Sequence, residues 1–183
     1  MSDLDDIRDI LGFEPYRGAP IDWEAASQAL GARIPSDFRE LINATGAGKI
    51  GYDTLLLQPF AINTNYDQIR RHHEWIRDLE IIWEEEKDFD PEDQTKPLIF
   101  NEPDIRPILW GASGLGFNLY WVARNDTDPS TWQIAVEPAR GGQWEFHPGT
   151  ATNLLLRLLR GEAASLYLRS LCTAEQHFFT PDM

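Results

Sequence analysis

Apolar positions recur at three- and four-residue steps through the middle of the chain. Ile69, His72 or His73, Ile76, Leu79 and Trp83 form one stripe. That spacing predicts a long amphipathic helix over about 66–86, with Asn63 or Asn65 as its cap. Shorter helical patterns precede it. Residues 3–11 form one that stops at Gly12. Asp22 caps a helix over 23–30 that ends at Gly31. Ser36 caps another to about Thr45, with Phe38, Leu41 and Ile42 on one face. Residues 13–20 are rich in Pro and Gly and read as a loop, and Gly46-Ala47-Gly48 closes the third helix.

The pattern then changes period. Thr54–Gln58 is a short apolar run that suits a buried strand, broken by Pro59. Residues 87–97 are polar, contain two prolines and predict a mobile loop. Beyond them lie Pro107–Trp110, Phe117–Ala123, Trp132–Glu137 and Gln143–His147, short runs rich in Trp, Tyr, Ile and Val. Turn signals separate them, and no helical pattern intervenes. Such spacing predicts an antiparallel meander rather than crossover units. Thr150 or Thr152 then caps a helix to Arg160, stopped by Gly161, and a last helix is predicted over about 162–171. Helices, strands, then helices define an α+β class: N-terminal helices, a central antiparallel meander and C-terminal helices, with the helices on one face of the sheet.

Composition fits that picture. The chain has 183 residues, 42% of them hydrophobic and 11% aromatic, which suits a single domain with an ordinary core. Sixteen basic and thirty acidic side chains leave a formal net charge of −14. This balance opposes direct binding to nucleic acid or to anionic membranes. One cysteine, Cys172, rules out an internal disulfide and suits a reducing compartment. The opening MSDLDDIRDI lacks the basic and apolar regions of a signal peptide, and no apolar run is long enough to span a membrane, so a cytoplasmic protein is expected.

The charge is unevenly placed. Residues 1–14 carry five acids against Arg8, and residues 78–93 carry nine against Lys87; the remainder is almost neutral. In the second segment Glu84, Glu85, Glu86, Asp88, Asp90, Glu92 and Asp93 form a run. Such a run can be a solvated face, or a surface that steers a basic protein into contact.

Candidate chemistry is sparse. Gly111-Ala112-Ser113-Gly114-Leu115-Gly116 has the wrong glycine spacing for a dinucleotide loop and lies between two strands, so it reads as a hairpin turn. His72 and His73 are adjacent on a helix and point about 100° apart, which prevents joint chelation. His147 and His177 are isolated, and nothing near Cys172 in the sequence would activate its thiol. No catalytic residue, cofactor or metal ligand is therefore assigned. Trp110, Trp121, Trp132 and Trp144 read either as core or as an aromatic-lined groove.

Several short stretches stand in a characteristic order and spacing. They are Ile21-Asp22-Trp23, Leu30-Gly31, Ile34-Pro35, Asp37-Phe38, Leu41-Ile42 and Gly46-Ala47-Gly48. Ile108-Leu109-Trp110-Gly111, Leu119-Tyr120-Trp121, Trp132 with Ile134–Val136, and Trp144 with Phe146 follow. Leu159-Arg160-Gly161-Glu162 closes the pattern, which spans about 21–162 and leaves 1–20 as an N-terminal extension and 163–183 as a helix and tail. Together they resemble the SUKH superfamily (Smi/Knr-like), with Ile34 where that family usually has Leu. The resemblance implies the same α+β fold and a non-enzymatic, protein-binding role. Many bacterial members are immunity proteins that neutralise a cognate toxin, often a nuclease with a basic cleft, by binding it. Others are intracellular regulatory or scaffold proteins without a toxin partner. The expected partner is thus a basic protein, with the acidic run as its contact; oligomeric state is left open.

Overall fold

Residues 2–90, 94–138, 142–173 and 176–182 are described by the structure, a computed structural model. They form an α+β fold with six α-helices: α1 (Asp3–Leu11), α2 (Trp23–Leu30), α3 (Ser36–Thr45), α4 (Gln68–Glu86), α5 (Ala151–Leu159) and α6 (Arg169–Thr173). The strands are β1 (Gly48–Ile50), β2 (Thr54–Leu56), β3 (Ile105–Ser113), β4 (Phe117–Arg124), β5 (Gln133–Pro138), β6 (Glu145–His147) and β7 (Phe179–Pro181). They make one antiparallel sheet in the order β6-β5-β4-β3-β2-β1-β7.

Alternation along β4 divides the sheet into two faces, because successive side chains leave a strand on opposite sides. Leu119, Trp121 and Ala123 enter a large core with Trp110, Ile134 and Val136, covered by α1, α2, α3, α5 and α6. Phe38 of α3 meets Trp110 and Trp121 edge-on, at 5.7 and 5.0 Å between ring centroids. Tyr120 and Val122 face the other way and pack with Leu109, Ala135, Leu57 and Phe100 against Leu79, Trp75, Ile76 and Trp83 of α4. Helices therefore cover both faces, not one. The stripe that predicts α4 is a surface that needs its own partner, and the second side of the sheet supplies it.

Local chemistry explains where the elements begin. Ser2 caps α1 in a reciprocal box with Asp5, and Asp22 accepts the Ala25 N–H at 2.9 Å. Ser36 does not cap α3: Pro35 precedes the helix, and Ser36 is already its first residue. Asp37 instead accepts from the Thr152 N–H and hydroxyl, at 3.1 and 2.6 Å, which ties the start of α3 to the start of α5. Neither Asn63 nor Asn65 caps α4. Asp67 does, accepting from Ile69 N–H and also from Phe60 N–H, both at 3.1 Å. Asn63 is held elsewhere, donating to Asp182 at 2.8 Å.

The helix expected over 162–171 is confined to Arg169–Thr173. Glu145 takes the Leu166 N–H at 2.6 Å and the Ser165 hydroxyl at 2.6 Å, and the Ser165 oxygen accepts from Tyr167 and Leu168 N–H. These side chains occupy the amides that a helix would need. Two strands, β1 and β7, fall outside the predicted set.

One edge of the sheet is finished by side chains. β2 pairs only with Gly111–Ser113 of β3, and Leu57 N–H still reaches Trp110 O. At the next residue α4 takes over. Gln68 Nε2 donates to Leu109 O at 2.8 Å, and Leu109 N–H donates to His72 Nδ1 at 3.2 Å. A bulge between Leu109 and Gly111 marks the change.

Candidate functional site

The acidic end of α4 is held by packing beneath it. Trp83 stacks on Phe100 at 5.7 Å, Phe100 meets Trp144 at 5.3 Å, and Trp144 stacks on Tyr120 at 5.4 Å. This aromatic chain joins the last turns of α4 to β4. Lys96 lies 5.1 Å from the centre of the Trp83 ring, a cation–π contact. Between them opens a surface cavity of about 370 Å³ lined by Glu80, Trp83, Glu84, Glu86, Lys87, Gln94, Lys96 and Asn101.

The acids of the run do not act alike. Glu84, Glu85, Asp88 and Asp90 are exposed. Glu84 is paired with Lys87. Among the described residues no side-chain partner holds Glu85, Asp88 or Asp90. Glu86 is half-buried and accepts from Thr95 N–H at 2.8 Å and Thr95 Oγ1 at 2.7 Å. Gln94 Nε2 adds a bond to Phe89 O at 3.0 Å. The two ends of the 87–97 segment are thus tied together, and Glu86 is the tie rather than part of an open docking surface. Glu92 and Asp93 lie outside the described residues.

The two acidic segments do not merge. α1 packs on α5 over the first face of the sheet, while the acidic end of α4 lies over the second. Three of the five N-terminal acids are also engaged by the chain itself. Asp6 pairs with Arg160 at 2.8 Å, Asp5 closes the α1 cap, and Asp3 accepts from Asn153 at 3.4 Å. At the α4 end Lys87 is taken up by Glu84, and among the described residues Glu85, Asp88 and Asp90 have no cation paired with them.

The other candidates resolve into structural roles. Trp110, Trp121 and Trp132 are buried; Trp144 is half-buried in the aromatic chain. The glycine stretch forms the end of β3 and the β3–β4 turn. His72 is buried against β3, whereas His73 is exposed and reaches Ala29 O at 3.2 Å. Burial, helped by His73 and Arg106, pushes the His72 pKa down to about 4, so the ring that accepts the Leu109 N–H is neutral. His147 sits 3.3 Å from Glu145. The Cys172 thiol reaches Leu168 O at 3.5 Å, and burial raises its pKa, the reverse of an activated nucleophile.

Sequence reasoning does not single out Glu137. It is 6% exposed on β5 and accepts from Asn118 Nδ2 at 2.8 Å and Tyr120 Oη at 3.1 Å. Burial raises its pKa despite those two bonds. Glu in a run of strand residues was the available signal. Among the described residues no three His, Cys, Asp or Glu side chains converge as metal ligands, and no helix is long and apolar enough to cross a membrane. The chain matches no family model, no curated protein and no solved structure.

Proposed function

We propose that this chain is a non-enzymatic protein-binding domain that uses the acidic end of α4 to meet a basic protein. An immunity protein neutralising a toxin domain is the role that the SUKH resemblance implies. One observation supports the reading: Glu85, Asp88 and Asp90 stand exposed, with no cation paired to them among the described residues, at and just past the end of a helix fixed by aromatic packing. Fixed like charges of this kind raise the association rate of a basic partner and reject acidic ones.

The test is affinity purification from the native host at low salt with wild-type bait and with Glu84→Lys/Glu85→Lys/Asp88→Lys. Glu86 is left intact because it closes the loop. The expected result is a basic partner that the reversed variant loses, whose association with the wild type slows as salt rises. A partner retained equally by both baits would overturn the reading. If the partner is a toxin, added chain should abolish its activity at a 1:1 ratio.

A further inference from the structure

The outer side of α4 is not uniformly polar. Ile81 is 51% exposed, Ile82 43% and Phe89 54%. Ile81 and Ile82 lie three and four residues from both Asp78 and Glu85, so all four share one side of the helix. Phe89 lies three residues past Glu86, the last residue of α4. The Phe89 N–H donates to Glu86 O at 2.9 Å, which continues the turn past the helix end. The inner side of the helix is already committed to the sheet through Leu79, Ile76, Trp75 and Trp83. Asp78, Glu84, Glu85 and Asp88 border the apolar row. The two bases along this stretch are both paired, Arg77 with Asp78 at 3.1 Å and Lys87 with Glu84.

We infer that the Ile81, Ile82 and Phe89 face is a docking site for a cationic amphipathic segment of another protein, with apolar side chains flanked by Lys or Arg. The charge selects among possible occupants. A second copy of this chain would set Glu84, Glu85 and Asp88 against their own duplicates, and an anionic membrane would be repelled in the same way. A segment bearing the opposite charge beside an apolar row satisfies both parts of the surface at once. The inference rests on the proposed function and adds to it. The carboxylates bring the partner in and fix its sign, while the three apolar side chains hold it.

The test uses wild-type protein in about 0.15 M salt and a synthetic 14-residue peptide of leucine and lysine patterned as an amphipathic helix. A second peptide of identical composition carries a scrambled, non-amphipathic order. Amide shifts of the labelled protein map the contact, and titration gives affinities. The expected result is shifts centred on residues 78–89 and binding at least about tenfold tighter for the amphipathic peptide than for the scrambled one. Ile82→Ser/Phe89→Ser should lose about tenfold, mainly through faster dissociation. Glu84→Gln/Glu85→Gln/Asp88→Asn should mainly slow association.

Equal binding of the two peptides overturns the inference in the wild-type protein, whatever the variants do, and leaves the acidic reading standing. Shifts centred elsewhere overturn it as well. Self-association of the chain that Ile82→Ser/Phe89→Ser abolishes would replace the proposed occupant with a second copy. Full-rate, full-affinity binding to the charge-neutral variant would instead refute the acidic reading while preserving the apolar anchor.

Discussion

At the residue scale, His72 and Glu137 couple the fold to pH with opposite signs. His72 is held neutral, with a pKa near 4 against 6.5 for the free side chain. Between those values the unfolded chain binds a proton that the folded chain refuses. The stability it contributes is therefore full above about pH 6.5 and is lost as pH falls toward 4, by up to about 3 kcal/mol. Thermal unfolding of the wild type and His72→Gln across that range checks this; the variant should lose less stability than the wild type as pH falls from 6.5 to 4. Glu137 works the other way. Its raised pKa favours the fold at low pH and penalises it as pH rises through the folded value. Glu137→Gln keeps a carbonyl for Asn118 and Tyr120 to donate to and removes the buried charge. It should be as stable as the wild type at pH 7 or more so, by about 1 kcal/mol, whereas Glu137→Ala should be destabilised by about 2 kcal/mol through orphaning both donors.

At the element scale, α4 is both a packing helix and the closure of an unfinished strand edge. Gln68→Leu leaves Leu109 O without its donor in a buried site, and should destabilise by about 2 kcal/mol in a chemical denaturation series. Hydrogen exchange should show the loss first in β3, beside β2. α4 itself is legible because its stripe runs over several turns. The edge it closes is not legible, because neither Gln68 nor His72 reads as a strand partner in the sequence. β1 and β7 are missed for a related reason. Neither lies in an apolar or aromatic run like those that mark β2 and β6, and each strand is fixed by its neighbours: Gly48, Lys49 and Ile50 pair with Leu56, Leu55 and Thr54 on one side and with Pro181, Thr180 and Phe179 on the other. In the candidate site the acids are legible as a run. Their division into exposed carboxylates and a loop tie at Glu86 depends on Thr95, a contact across the loop that composition does not reveal.

At the scale of the whole molecule, the charge separates across the sheet. Two acids of α1 are tied to α5 and its C-cap, Asp3 to Asn153 and Asp6 to Arg160, while Glu84 and Glu85 of α4 face solvent on the other side. α1 is also part of the main core: Ile7 is fully buried and Leu11 and Phe13 nearly so. Removal of residues 1–12 should therefore destabilise the whole domain by several kcal/mol, read as a lower unfolding midpoint, although the motifs of the resemblance begin later. Losing the α1 acids should leave binding at the α4 end unchanged in any truncation that still folds.

The strand order has a consequence for how this chain is made. Six of the seven strands are adjacent in the sheet in the order of synthesis, so each can pair as soon as it emerges, and the meander can assemble once His147 has emerged. β1 is different. It is the first strand synthesised, yet one flank stays bare until Phe179–Pro181 arrives. During that interval the sheet ends on β1, an edge that the finished domain covers with β7. Chains from which His147 has cleared the ribosome and Phe179 has not should accordingly be more inclined to aggregate than the finished domain, and more dependent on chaperones.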